Sequence, residues 1–258
     1  VAVHGVSGSG KTYAGTTMEG QLWLQSEANG IGTIREHSDE ILVVENKDDL
    51  LYIQKNEIPS ETPIVIPLYR GSPEERVQQT INIVNWVYQN GEQLYANGRR
   101  SVILDSFSDV NSNIVDALGA KTGNIVQMKD WQQIKVHCLH RVLEPLRQLT
   151  DMGLDLLVTC GLQDNSMEDG MVDRGYKSVI QGAARAQFLY RLMAGCQLES
   201  LFTVNRQTKE VEGLRRTALF NGRPGYHVCK TKGALERESI NFTEWKAKAF
   251  PNYNGVLK

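Results

Sequence analysis

Apolar and polar residues alternate along the chain in blocks whose lengths distinguish strands from helices. Residues 1–4 form a short apolar run read as a buried strand, followed by a glycine-serine loop over 5–10 and a predicted helix from Lys11 to about Gln25. The run at 41–44 is continuously apolar and β-branched, as parallel strands covered on both faces are. Residues 63–67 are a third strand with a proline at each end. Ser72, Pro73 and Glu75 open a helix as N-cap, first-turn proline and capping-box acid, and that helix runs to about Tyr95 before Asn97 and Gly98 close it. Residues 101–105 are the next buried strand, and 106–130 read as a long polar stretch. Trp131, Ile134, Cys138, Val142, Leu146 and Leu149 recur at helical spacing, with Pro145 as an expected kink. A fifth strand covers 154–160, a polar loop 164–178 and a helix 183–193. Late strands are expected at 200–205, 217–221 and 226–230.

Strand and helix alternate up to Cys160, which implies an α/β fold: a mainly parallel sheet flanked by helices, with late antiparallel strands. No repeat or linker divides the chain, so one domain over 1–258 is expected, with a core at 1–205 and C-terminal strands and tail at 206–258. The 28 basic and 30 acidic residues nearly cancel, which argues against a histone-like nucleic-acid binder but leaves room for a local patch. No apolar run reaches the roughly 20 residues that span a bilayer. No signal peptide is visible, and the chain opens on what reads as the end of a strand. Cys138, Cys160, Cys196 and Cys229 are scattered and are expected as reduced thiols in a cytoplasmic protein with no membrane partner.

One segment carries specific chemistry. Gly5, Val6, Ser7, Gly8, Ser9, Gly10, Lys11 and Thr12 match GxxxxGK[ST] in full, between a strand and a helix that begins Lys11-Thr12-Tyr13. Glycines let backbone N–H groups cradle phosphates, the lysine neutralises the β- and γ-phosphates, and the threonine hydroxyl reaches Mg²⁺. ATP and magnesium are the expected ligands, with Tyr13 beside them. Asp105 ends an apolar strand and is the expected second magnesium residue, its alternative being a turn or cap aspartate. Glu45 ends the 41–44 strand, where a carboxylate can activate water; the alternative is a surface acid in a charged turn. His137 and His140 lack further metal ligands nearby, and Trp23, Trp86 and Trp131 fit core stripes.

In this order the elements resemble the RecA-like ATPase core, and most closely the small phage-encoded RecA-like proteins of recombination and single-strand annealing. The residues that carry the likeness are the 5–12 loop, Glu45, the strand ending in Asp105 and Ser106, and the 156–163 segment ending in Gln163. The resemblance implies an ATP hydrolase acting on DNA in the host cytoplasm, assembled as a ring or filament. It implies Glu45 as catalytic base and Gln163 as the γ-phosphate sensor. It also implies that Lys230 and Lys232 reach a neighbouring subunit's phosphate, though as lysines they can equally be solvated; Arg215, Arg216 and Arg223 are alternative fingers. Single-stranded DNA would meet the segments 106–130 and 164–178, which hold Lys121, Lys129, Arg174 and Lys177 against Asp109, Asp116, Glu168, Asp169 and Asp173. A packaging or remodelling motor, a non-catalytic nucleotide-binding module and a small-molecule kinase share the same loop and stay open.

Overall fold

The structure is a computed structural model and describes residues 1–121, 126, 128–164, 176–181, 183–188, 191–192, 194–204, 207, 211–220 and 235–251. Its strands are β1 (Ala2–Gly5), β2 (Gln21–Gln25), β3 (Leu42–Val43), β4 (Ile64–Pro67), β5 (Ser101–Asp105), β6 (Asp155–Asp164), β7 (Tyr176–Ser178), β8 (Gly195–Val204), β9 (Val211–Leu219) and β10 (Arg237–Glu238). Nine lie side by side in the order β3-β4-β2-β5-β6-β1-β8-β9-β10, and β7 pairs with the outer end of β6. Every pairing from β3 across to β8 is parallel, while β8–β9, β9–β10 and β6–β7 are antiparallel. The protein is therefore α/β with a mostly parallel sheet and late antiparallel strands, as the alternation of elements implies.

Strand residues alternate between two cores, because successive side chains leave opposite faces of a sheet. Leu22, Leu24, Val102, Leu104 and Val158 point to one face. That face is covered by α3 (Lys47–Lys55), α4 (Pro73–Gln89), α5 (Gly91–Ala96), α6 (Phe107–Lys121), α7 (Met128–Lys135), α8 (Glu144–Gln148) and α9 (Ala183–Phe188), which supply Ile53, Val84, Leu94, Ile114, Ile134, Leu146 and Phe188. Val3, Trp23, Val65, Ile103 and Leu157 point to the other. There α1 (Lys11–Thr16), α2 (Gly30–Glu36) and α10 (Phe242–Ala249) close the core with Ala14, Ile34, Phe242 and Trp245. The expected capping box is in place on α4: Ser72 Oγ accepts from Glu75 N–H at 3.3 Å, and Glu75 Oε2 accepts from Ser72 N–H at 2.7 Å.

Two expectations are corrected. The helix predicted from Lys11 to Gln25 ends at Thr16, and Gln21–Gln25 is a central strand between β4 and β5. Thr16 and Thr17 turn their hydroxyls back onto the carbonyls of Tyr13 and Ala14, and Gly20 turns the chain with a φ of 52°. Residues 106–130 are not one polar loop: most of that stretch is α6, whose Phe107, Val110 and Ile114 are buried at helical spacing. Just before Pro145 the helix widens over Val136–Leu143 into a π-helical stretch, where Glu144 N–H donates to the Leu139 carbonyl five residues back. The strand expected at 226–230 lies outside the described residues.

α1 packs so closely on β2 that a methyl group built on Gly15 would overlap the Trp23 ring, which is fully buried. Ala is the better helix former by about 1 kcal/mol, but a buried indole cannot step aside. Gly15→Ala is expected to lower unfolding free energy by about 1–3 kcal/mol in chemical denaturation; an unchanged midpoint would mean that this contact is loose.

Candidate functional site

The seven parallel strands end along one edge of the sheet, where connecting loops make a crevice. β1 ends there at Gly5, between β6 and β8. The chain then turns through Gly8 (φ 76°) and Gly10 (φ 98°), left-handed conformations that suit glycine. A side chain on Gly5 would overlap the buried Ser9 hydroxyl, so the loop folds tightly only because Gly5 has none. Lys11 opens α1, and its ammonium donates to the carbonyls of Gly5 and Val6 at 3.0 Å each. These bonds close the loop 5–12 on itself and hold a positive charge above it. His4, directly beneath, adds none: burial, then the Lys11 charge, push its imidazole down to about 3.

Thr12 sits one residue into α1 and donates from Oγ1 to Asp105 Oδ2 at 2.8 Å. Asp105, at the end of β5, is buried and also accepts from Gln25 Nε2 at 3.2 Å and from Thr159 Oγ1 of β6. Donors from α1, β2 and β6 thus orient one carboxylate. The Thr12 hydroxyl and the Asp105 carboxylate are hard oxygen donors that fit a magnesium ion arriving with phosphate, since Mg²⁺ keeps several waters and needs few protein ligands. Among the described residues no cluster of three His, Cys, Asp or Glu side chains is placed to cage a metal alone. Where magnesium binds, Thr12 and Asp105 are the residues to hold it.

Beside Asp105 lies a second polar group that the sequence reading missed. Gln25 is in register with Asp105, so the residues after it, Ser26 and Glu27, leave the sheet at the same edge. Ser26 Oγ accepts from Ser106 N–H at 2.6 Å. The Ser106 hydroxyl contacts Asp109 Oδ2 and lies 3.4 Å from Glu27 Oε1. Its neighbour Ser108 lies 2.9 Å away and accepts from Gly161 N–H of β6 at 3.0 Å. A hydrogen bond with Asp109, then burial, then the charges of Asp109 and Asp105 push the Glu27 carboxyl up to about 7, with Lys11 opposing.

These groups share a cavity of about 900 Å³, within the range of small-molecule sites. Ser7, Gly8, Gly10, Lys11, Thr12 and Tyr13 line it together with Glu27 and Asp105. Arg216 of β9 and residues 239–241, just before α10, line it as well, with Arg216 and Ile240 beside Gly10. The Tyr13 ring meets His37, the residue that ends α2 as its C-cap, edge-on at 5.1 Å.

Glu45 does not join the cavity. It follows β3, the edge strand, with β4 and β2 between it and β5. Its carboxylate is 61% exposed and pairs with Arg70 at 3.1 Å. It fell outside because residues 41–44 are the third strand along the chain, not the second. Gln163 lies on β6, two residues past the partner of Gly5, with its backbone in register with Lys177 of β7. Lys230, Lys232 and Arg223 fall outside the described residues, as does most of 164–178. Arg216 reaches the cavity of its own chain. Trp23 is core, and Cys138, Cys160 and Cys196 are buried. No described helix is long and apolar enough to cross a membrane. No protein-family model matches the chain, and no curated protein matches it significantly.

Proposed function

We propose that this protein binds and hydrolyses ATP with magnesium, as a P-loop NTPase with a RecA-like core. The observation that carries this reading is the 2.8 Å hydrogen bond from Thr12 Oγ1 to Asp105 Oδ2. It joins the last residue of a complete phosphate-loop motif to an aspartate on another strand, as shared magnesium coordination requires. The strand order supports the RecA-like variant: β6 lies between the strand that feeds the loop and the strand that ends in Asp105.

The chain's residues then divide the work. Lys11 leaves the Gly5 and Val6 carbonyls for the β- and γ-phosphates; Thr12 and Asp105 would hold magnesium, which would supply positive charge to the phosphates. Glu27, near Asp105, orients the attacking water and takes its proton. This role passes to Glu27 from Glu45. Action on single-stranded DNA and assembly into a ring or filament complete the proposal; they rest on the resemblance alone.

Titration calorimetry with ATP, in magnesium and then in excess EDTA, tests the reading: magnesium-dependent heat is expected, and well-folded protein giving none would overturn it. Adding single-stranded DNA to a turnover assay tests the DNA role, with stimulation expected. A base must be ionised, and the Glu27 carboxyl titrates near 7. Below that pH kcat/KM should fall about tenfold per unit, and above it level off, because this parameter reports the free enzyme. A profile flat from pH 5.5 to 8.5 would remove Glu27 from the proton's path.

A further inference from the structure

The cavity lining beside Asp105 differs in chemistry from the lining beside Gly10. Near Asp105 the wall is acidic, with Glu27 also lining the cavity, and a methyl group built on Gly30 would come within 3.1 Å of Asp105 Oδ2. On the triphosphate reading magnesium and the γ-phosphate belong with Asp105, which leaves the lining beside Gly10 for whatever is esterified to the phosphates. Beside Gly10 the wall changes. A methyl group built on Gly10 would meet Ile240 Cδ1 at 3.3 Å and Arg216 Cδ at 3.5 Å, so an apolar side chain and the stem of an arginine stand directly over the loop. Among the described residues Arg216 has no ion-pair partner. Glu244 also lines the cavity, its carboxylate bonded to the Ser239 hydroxyl. Asn241 caps α10 by accepting from Glu244 N–H at 3.1 Å, which engages its oxygen and leaves its amide N–H groups as donors.

We infer that Arg216, Ile240, Asn241 and Glu244 form a nucleoside subsite that selects purine nucleotides, an inference that rests on the triphosphate reading of the loop. A carboxylate repels phosphate but accepts from ribose hydroxyls. The exposed guanidinium plane presents a flat surface to a base, beside the small part of Ile240 left uncovered by the core, and the bicyclic purine covers more of that plane than a pyrimidine does. The Asn241 amide donates to a ring-nitrogen acceptor. Arg216 thus serves in its own chain as a base-stacking residue, not as a finger for a neighbour's phosphate. Arg216 on β9, Ile240 and Asn241 before α10, and Glu244 within α10 carry these groups, so the C-terminal part of the chain completes the ligand site.

The test compares ATP, GTP, UTP and inorganic tripolyphosphate, each with magnesium, by calorimetry on the wild-type chain, Arg216→Ala and Ile240→Ala. Arg216 is exposed, so its removal leaves the fold intact. ATP and GTP are expected to bind at least about tenfold more tightly than tripolyphosphate, with UTP between them. Arg216→Ala should weaken ATP about tenfold and tripolyphosphate less than about twofold, and Ile240→Ala should do the same to a smaller degree. Equal affinity for ATP and tripolyphosphate in the wild type overturns the subsite while leaving the phosphate site standing. UTP as tight as ATP overturns the purine preference. Equal losses for ATP and tripolyphosphate in Arg216→Ala make Arg216 a phosphate ligand. Failure of every ligand, tripolyphosphate included, rejects the phosphate loop itself.

Discussion

Lys11→Ala abolishes magnesium–ATP turnover, with a fall of about a thousandfold or more expected, and leaves the fold intact. The size follows from what one well-placed charge contributes where negative charge moves between phosphates: about a hundred- to thousandfold for a single donor, before any loss of ground-state binding. The fold survives because, without ligand, the ammonium bonds only to two carbonyls of its own loop, at 3.0 Å each. Those carbonyls lie beside solvent, and water can replace the ammonium at little cost. Near-ultraviolet dichroism and the denaturation midpoint should match the wild type while calorimetry with magnesium–ATP loses its signal. A variant that still turns ATP over within tenfold of the wild type would place the phosphates elsewhere.

Some of this site was legible in the residue order alone. The GxxxxGK[ST] motif is local, and a strand ending in acid is a local pattern, so Lys11, Thr12 and Asp105 pair from the sequence alone. A parallel sheet brings the carboxyl ends of its strands together whatever their order, which is why that pairing needed no topology. The identity of the strand beside β5 did need topology. Ala14, Met18 and Leu22 recur every fourth residue, and this spacing supports a helix running through β2. What makes Gln21–Gln25 a strand is its pairing with Ser101–Asp105 and with Ile64–Pro67, contacts remote in the chain that override local preference. A weaker signal was present: Gly20, then Leu-Trp-Leu between glutamines, then an acid, the pattern that elsewhere was read as a strand end. The opposite error occurred in α6, where polar residues on the outer face hid Phe107, Val110 and Ile114. Another part of the cavity lining comes from β9 and residues 239–241, over two hundred residues beyond the loop, and nothing local announces it.

On the proposed ATPase reading the position of β2 decides which carboxylate would serve as the base, and the second large effect follows from it. Glu27→Gln is expected to lower turnover by about a hundred- to ten-thousandfold, the range of general base catalysis, with magnesium–ATP affinity within about threefold of the wild type. The amide keeps the size and most of the hydrogen bonding of the acid, so Ser106 and Asp109 retain a neighbour; what is lost is the capacity to take a proton. Glu45→Gln, in the same assay, is expected to turn over ATP within about twofold of the wild type. It breaks only an exposed pair with Arg70 on an edge strand, and such pairs contribute about 0–1 kcal/mol. The two variants make the test decisive, because each carboxylate follows a strand that ends at the same edge of the sheet and only the strand order separates them. If Glu45→Gln is the slow enzyme, a conformational change must carry β3 past two intervening strands to reach the loop, which a hydrogen-bonded sheet resists. If both variants are slow, Arg70 and Glu45 influence the site through β4, and Arg70→Ala should then reproduce the loss. If Glu27→Gln alone is slow, the strand adjacent to Asp105 supplies the base, and the polar network from Ser26 to Ser108 that holds it in place belongs to the catalytic machinery.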